Sequence, residues 1–202
     1  MAKRSSPKVH AGSMADIAFL LLIFFLVATS IETDAGLYRM LPPMDTSPPI
    51  IINERNILRV SINDSDELLV EEKRVDIQVL RDLAISFLDN GGTGRGEKGH
   101  CGYCEGLRDQ ESSDNPWEAV VLVTSARATT YGGYIAVQNE LVAAYNHLRN
   151  REAQSLFGQD FTAMQAAYLS PETPEHIRAS LREKIKEVQG LFPLNLSEAE
   201  IE

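Results

Sequence analysis

Residues 17–27, IAFLLLIFFLV, are eleven residues without a polar side chain, and Asp16 stands directly before them. A helix that is apolar all round must sit in lipid or in a protein core. A helix rises about 1.5 Å per residue, so a hydrocarbon layer about 30 Å thick needs about 20 residues. The strict apolar run is too short for that. Extended over residues 11–31 it reaches 21 residues, with Ser13, Asp16, Thr29 and Ser30 inside it. The hydroxyls can bond the helix's own carbonyls. Asp16 has no such relief: a charged aspartate at the centre of a spanning helix costs about 2.5–3.5 kcal/mol, and its place in the first third of the segment only reduces this. Ser13, Asp16, Leu20, Ile23 and Val27 fall on one helical face. That face needs cover from partner helices, supplied by another copy, by a different protein, or by both. A carboxylate in a desolvated site takes up a proton more readily than one in water. Loading it on one side and releasing it on the other yields about 2.3 kcal/mol per charge per 100 mV.

Charge orients the segment. The whole chain has a formal net charge of −10 over 202 residues. Lys3, Arg4 and Lys8 against Asp16 leave residues 1–31 at +2, so the rest carries −12. Glu32 and Asp34 follow the segment, and positive residues on one flank place that flank in the cytoplasm. The acidic body argues against nucleic acid, whose phosphates need Lys and Arg. Two other readings compete. A basic tip and a short apolar run also suit a secretory signal peptide, although a carboxylate heads the run and Ala28-Thr29-Ser30 is a poor cleavage pattern. A buried helix of a soluble domain is the other.

The chain predicts five regions: a tip (1–10), a transmembrane helix (11–31), a linker (32–56), an α+β body (57–152), and a C-terminal helical extension and tail (153–202). Pro42-Pro43 and Pro48-Pro49 stiffen the linker. Residues 57–62 and 68–70 read as a hairpin closed by Asn63-Asp64-Ser65-Asp66, with Val75 in a short continuation. Residues 76–89 read as a helix capped by Asp76, with a stripe of Ile77, Leu80, Leu83, Ala84, Phe87 and Leu88. Residues 91–116 are Gly-rich and polar and read as a loop. Residues 118–126 form a near-continuous apolar strand, as a central strand would. Thr130 caps a helix from 131 to about 152, and residues 174–189 form a last amphipathic helix. Residues 190–202 read as a tail with no evident strand.

This order resembles the ExbD/TolR biopolymer transport family. The resemblance is carried by Ser13-Met14-Ala15-Asp16-Ile17-Ala18-Phe19 and the apolar run behind it, by residues 57–62, the 67–75 stretch, the helix at 76–89 and residues 120–123 in that order, and by Tyr131-Gly132-Gly133-Tyr134 opening a helix. It covers about residues 1–152. The family usually has Thr-Pro-Leu-Val-Asp where this chain has Gly12-Ser13-Met14-Ala15-Asp16; the Asp carries over and the Thr-Pro does not. The long C-terminus resembles versions from Bacteroidetes-like bacteria. The resemblance implies a non-enzymatic subunit without cofactor, in the bacterial inner membrane, with a cytoplasmic N-terminus and a periplasmic body. It implies Asp16 as the proton relay, ExbB-like proton-channel subunits and a TonB-like protein as partners, and self-association as a dimer. The alternative is a TolR- or stator-like anchor that binds peptidoglycan.

His100-Cys101-Gly102-Tyr103-Cys104 has three readings. A local Cys101–Cys104 disulfide is favoured for a body outside the cytoplasm. Zinc held by His100, Cys101 and Cys104 lacks a nearby fourth ligand, so no metal is expected. A thiol-redox role lacks the helix that would activate the first cysteine. His10 precedes Asp16 and reads as a solvated tip residue.

Overall fold

The computed structural model describes residues 11–28 and 52–200. The chain divides into two compact units, residues 1–48 and 49–202. The tip, His10 and residues 32–51 of the linker lie outside the described residues.

In the first unit, α1 spans Ala11–Ala28. Its 18 residues rise about 27 Å. Among the described residues, no helix is long and apolar enough to cross a membrane. Residues 29–31 of the expected span lie outside those described.

In the second unit, a five-stranded mixed sheet has the order β3-β2-β1-β4-β5. Strand β1 (Ile57–Ile62) pairs antiparallel with β2 (Leu68–Val70), which pairs antiparallel with β3 (Lys73–Val75). β1 also pairs in parallel with β4 (Val120–Ser125), Ile57 opposite Val120 through Ile62 opposite Ser125. Successive side chains of a strand alternate between faces. Leu58, Val60 and Ile62 of β1 therefore join Val121 and Val123 of β4 in one core. Two helices cover that face. α2 (Ile77–Leu88) is capped by Asp76, whose side chain accepts from the Gln78 N–H at 2.9 Å, and buries Leu80, Ala84, Phe87 and Leu88. Leu83, expected in the stripe, stays 37% exposed at its margin. α3 (Tyr131–Phe157) is capped by Thr130, which accepts from the Gly133 N–H at 3.1 Å, and buries Val137, Leu141, Ala144, Tyr145 and Leu148. It runs past residue 152 and ends at Gly158, whose left-handed φ of 64° stops the helix.

The C-terminal part differs from the expected tail. An additional helix, α4 (Phe161–Leu169), precedes α5 (Glu175–Leu191). Phe161, Met164, Leu181, Ile185 and Val188 close a second core against Ala153 of α3. The chain then returns to the sheet as β5 (Leu196–Glu200), parallel to β4 with Leu196 opposite Val121. Leu-Ser-Glu-Ala-Glu lacks an apolar alternation because an outermost strand needs few inward residues and tolerates charge.

The β2–β3 turn places Glu71 and Glu72 at φ 48° and 64°. Two positive φ values match the two-residue turn that suits hairpin twist, but side chains other than Gly and Asn are strained there. Glu71 is held in place because its carboxylate accepts from the Arg59 N–H at 2.8 Å; Glu72 has no such bond among those described. Glu72→Gly is expected to raise the urea unfolding free energy by about 0.5–1 kcal/mol.

Candidate functional site

The carboxylate that heads the apolar run sits on α1. Asp16 lies one turn before Leu20 and two turns before Ile23. The described side chains of α1, residues 14–25, are all exposed, among them Leu20 at 58% and Ile23 at 41%. The side chains of Ser13 and Val27 lie outside the described residues. The helix thus offers a carboxylate in an apolar cylinder, and nothing within its own unit covers the Leu20–Ile23 face among the described residues.

In the body, a groove of about 670 Å³ opens between the β1–β2 turn and the first turns of α2 and α3. Its floor is apolar: Ile62, Leu68 and Val137 from the core, with Val75, Ile77 and Ala136 beside them. Asp66, Glu67, Arg74 and Asp76 stand at its margin. Asp66 is placed by the fold, since its carboxylate accepts from the Thr130 N–H at 2.8 Å and the Thr130 hydroxyl at 2.7 Å. Those two bonds hold its carboxyl below the usual carboxylate range. They tie the hairpin turn to the start of α3. A Cβ at Gly133 would come within 3.0 Å of Asp66 Oδ1, so glycine there admits the carboxylate to the helix end. Asn63 shapes the same turn by accepting from the N–H groups of Ser65 and Glu67. The sequence marks Asp66 only as a turn residue, because its partner lies 64 positions away.

Residues 91–116 are a built loop. Asn90 donates to the carbonyls of Asp109 and Ser113 and accepts from the Asp109 N–H. Cys101 and Cys104 form a disulfide, with Cα atoms 5.5 Å apart. Arg108 donates to both of their carbonyls, at 3.2 and 2.7 Å. The His100 ring bonds the Thr93 carbonyl through Nδ1 at 3.0 Å. Among the described residues, no group of three or more His, Cys, Asp or Glu side chains could hold a metal ion. His147 and His176 lie on α3 and α5.

The loop and the residues after it also contact the C-terminal extension. The Tyr103 hydroxyl donates to the Leu191 carbonyl at 2.6 Å, and its ring meets Trp117 and Phe192 edge-on. Burial raises the Tyr103 pKa, so its hydroxyl keeps its proton and the bond. The Trp117 indole donates to Gly190, and Asn195 donates to the carbonyls of Trp117 and Ala119. Arg151 of α3 donates to both oxygens of Asp89 at the end of α2, to Glu152 and to the Tyr103 carbonyl of the loop, and lies over the Phe192 ring. The Asp89 bond raises its pKa further still. Arg149 is buried between the rings of Tyr145 and Phe161 and donates twice to the Phe192 carbonyl at the end of α5. Burial lowers its pKa to about 10, which still leaves it charged at neutral pH.

A family model described as "Biopolymer transport protein ExbD/TolR" matches residues 2–151. The match takes in α1, the sheet strands β1–β4, α2 and most of α3, and it ends before α4 and β5. No curated protein matches the chain.

Two outcomes follow. Replacing both Cys101 and Cys104 by Ser is expected to lower unfolding free energy by about 2 kcal/mol in urea melts, the entropy released by so short a loop. For Asp66, a carboxyl with a lowered folded pKa stabilises above the unfolded value of about 4 and loses that contribution as pH falls through the folded one. The Tm difference between wild type and Asp66→Asn is therefore expected to be largest above about pH 5 and to close on acidification.

Proposed function

We propose that this chain, which belongs to the ExbD/TolR family of biopolymer transport proteins, is the proton-responsive subunit of an inner-membrane energy-transducing complex of the TonB type. Families of this kind are membrane-associated. The observation that carries the reading is Asp16 at the head of the apolar face of α1, within the region the family model matches. In this reading α1 and the residues behind it span the membrane, with the N-terminus in the cytoplasm. Asp16, with Ser13, Leu20, Ile23 and Val27 on its face, packs against a second copy and against ExbB-like helices. Protonation removes the desolvation cost of the carboxylate, and release on the far side restores it, so each turn couples proton flow to a change in helix packing. The body then conveys that change to a TonB-like partner outside.

Cells carrying Asp16→Asn at matched membrane levels are expected to lose siderophore or vitamin uptake while the complex still assembles. The amide keeps size and hydrogen bonding and removes the titration. Unimpaired uptake would overturn the relay and leave the peptidoglycan-anchor reading of the family.

A further inference from the structure

We propose that the groove between the β1–β2 turn and the starts of α2 and α3 binds an extended cationic segment of another protein, with aliphatic side chains on its floor and Lys or Arg at its margin. The inference deepens the proposed function, since it rests on the body being the part that engages a partner.

The floor selects the aliphatic element. Ile62, Leu68 and Val137 close it from the core side, and Val75 and Ile77 wall it. No polar group of the floor asks for a partner, so an apolar side chain seated there gains burial without leaving a donor or acceptor unmet. The volume, about 670 Å³, is that of a ligand site rather than a packing gap.

The margin selects the charge. Asp66, Glu67 and Asp76 face one guanidinium, Arg74. Arg74 is engaged by Glu67 at 2.7 Å, so it is not free for an incoming anion. The starts of α2 and α3 add about half a positive charge each. With Arg74 they offset about two of the three carboxylates, and the margin stays negative. Asp66 is anchored by Thr130 and Asp76 by Gln78, so both charges are held at fixed places. In an extended peptide, neighbours of a floor-facing side chain point away from the floor, towards that margin. An apolar residue flanked by cations fits both demands at once.

The test uses the full chain in detergent micelles with methyl labels and three peptides: Ac-Lys-Val-Lys-Val-Lys-NH2, its Glu-for-Lys analogue and its Gly-for-Val analogue. The first is expected to shift the methyl signals of Ile62, Val75, Ile77 and Val137 saturably, and to weaken about threefold or more as salt rises. The two analogues are expected to leave those signals in place. Ala136→Trp, an exposed position on α3 that faces the groove, is expected to weaken binding about tenfold or more by filling it. Should that variant not fold, Arg74→Glu decides, and is expected to tighten binding about threefold by removing the margin's one cation. No saturable shift, equal shifts with either analogue, binding that survives Ala136→Trp in a folded protein, or no tightening in Arg74→Glu would overturn the proposal. The relay reading is judged separately, by uptake in Asp16→Asn cells, so a failure of one is distinguishable from a failure of the other.

Discussion

Strand β4 lies between two parallel neighbours, β1 and β5, and a parallel neighbour cannot be reached by a tight turn. Every long connection in the body answers that constraint. The chain leaves β1, forms the β2 and β3 hairpins, crosses the sheet as α2 and threads residues 91–116 before it can enter β4. It then needs α3, α4 and α5 to come back as β5. Because α2 and α3 both bury their apolar faces on the same side, one core serves both crossovers.

The two crossovers also support each other. The loop of the first touches the end of the second through Tyr103, Trp117 and Asn195. The first segment lies within the region the family model matches, and the second lies almost wholly beyond it. Their contact gives each a physical reason to be there: residues 101–117 seat the last turn of α5, and that turn aims residues 196–200 at the edge of β4. Arg149 does the same from inside, holding a carbonyl at the end of α5 where a cation is favoured by the helix dipole.

Much of this was legible locally. Asp76 and Thr130 announce helix starts two and three residues ahead of the N–H groups they bond, and the apolar run at 119–123 announces a central strand. What escaped was set by distant partners. Strand β5 has one inward apolar residue, Leu196, and becomes a strand because β4 leaves an edge open. α4 is nine residues long and is fixed by Phe161 and Met164 in a core that only exists once α5 folds back. The groove is written in three separate stretches of chain, 62–68, 74–77 and 133–137, and only the fold brings them to one margin. For Asp16 the sequence shows cost and placement; the residues that would cover its face belong to other chains in the proposed complex.

The interior position of β1 has a mechanical meaning. The strand directly follows the segment that joins the body to α1, and it is clamped by β4 over all six residues and by β2 over Val60–Ile62. A pull on the chain ahead of Ile57, resisted by the rest of the body, acts along the strand and across both ladders at once. The hydrogen bonds are loaded together in shear, rather than opened singly as at a peeled edge. A tether attached there yields last where the tension enters first.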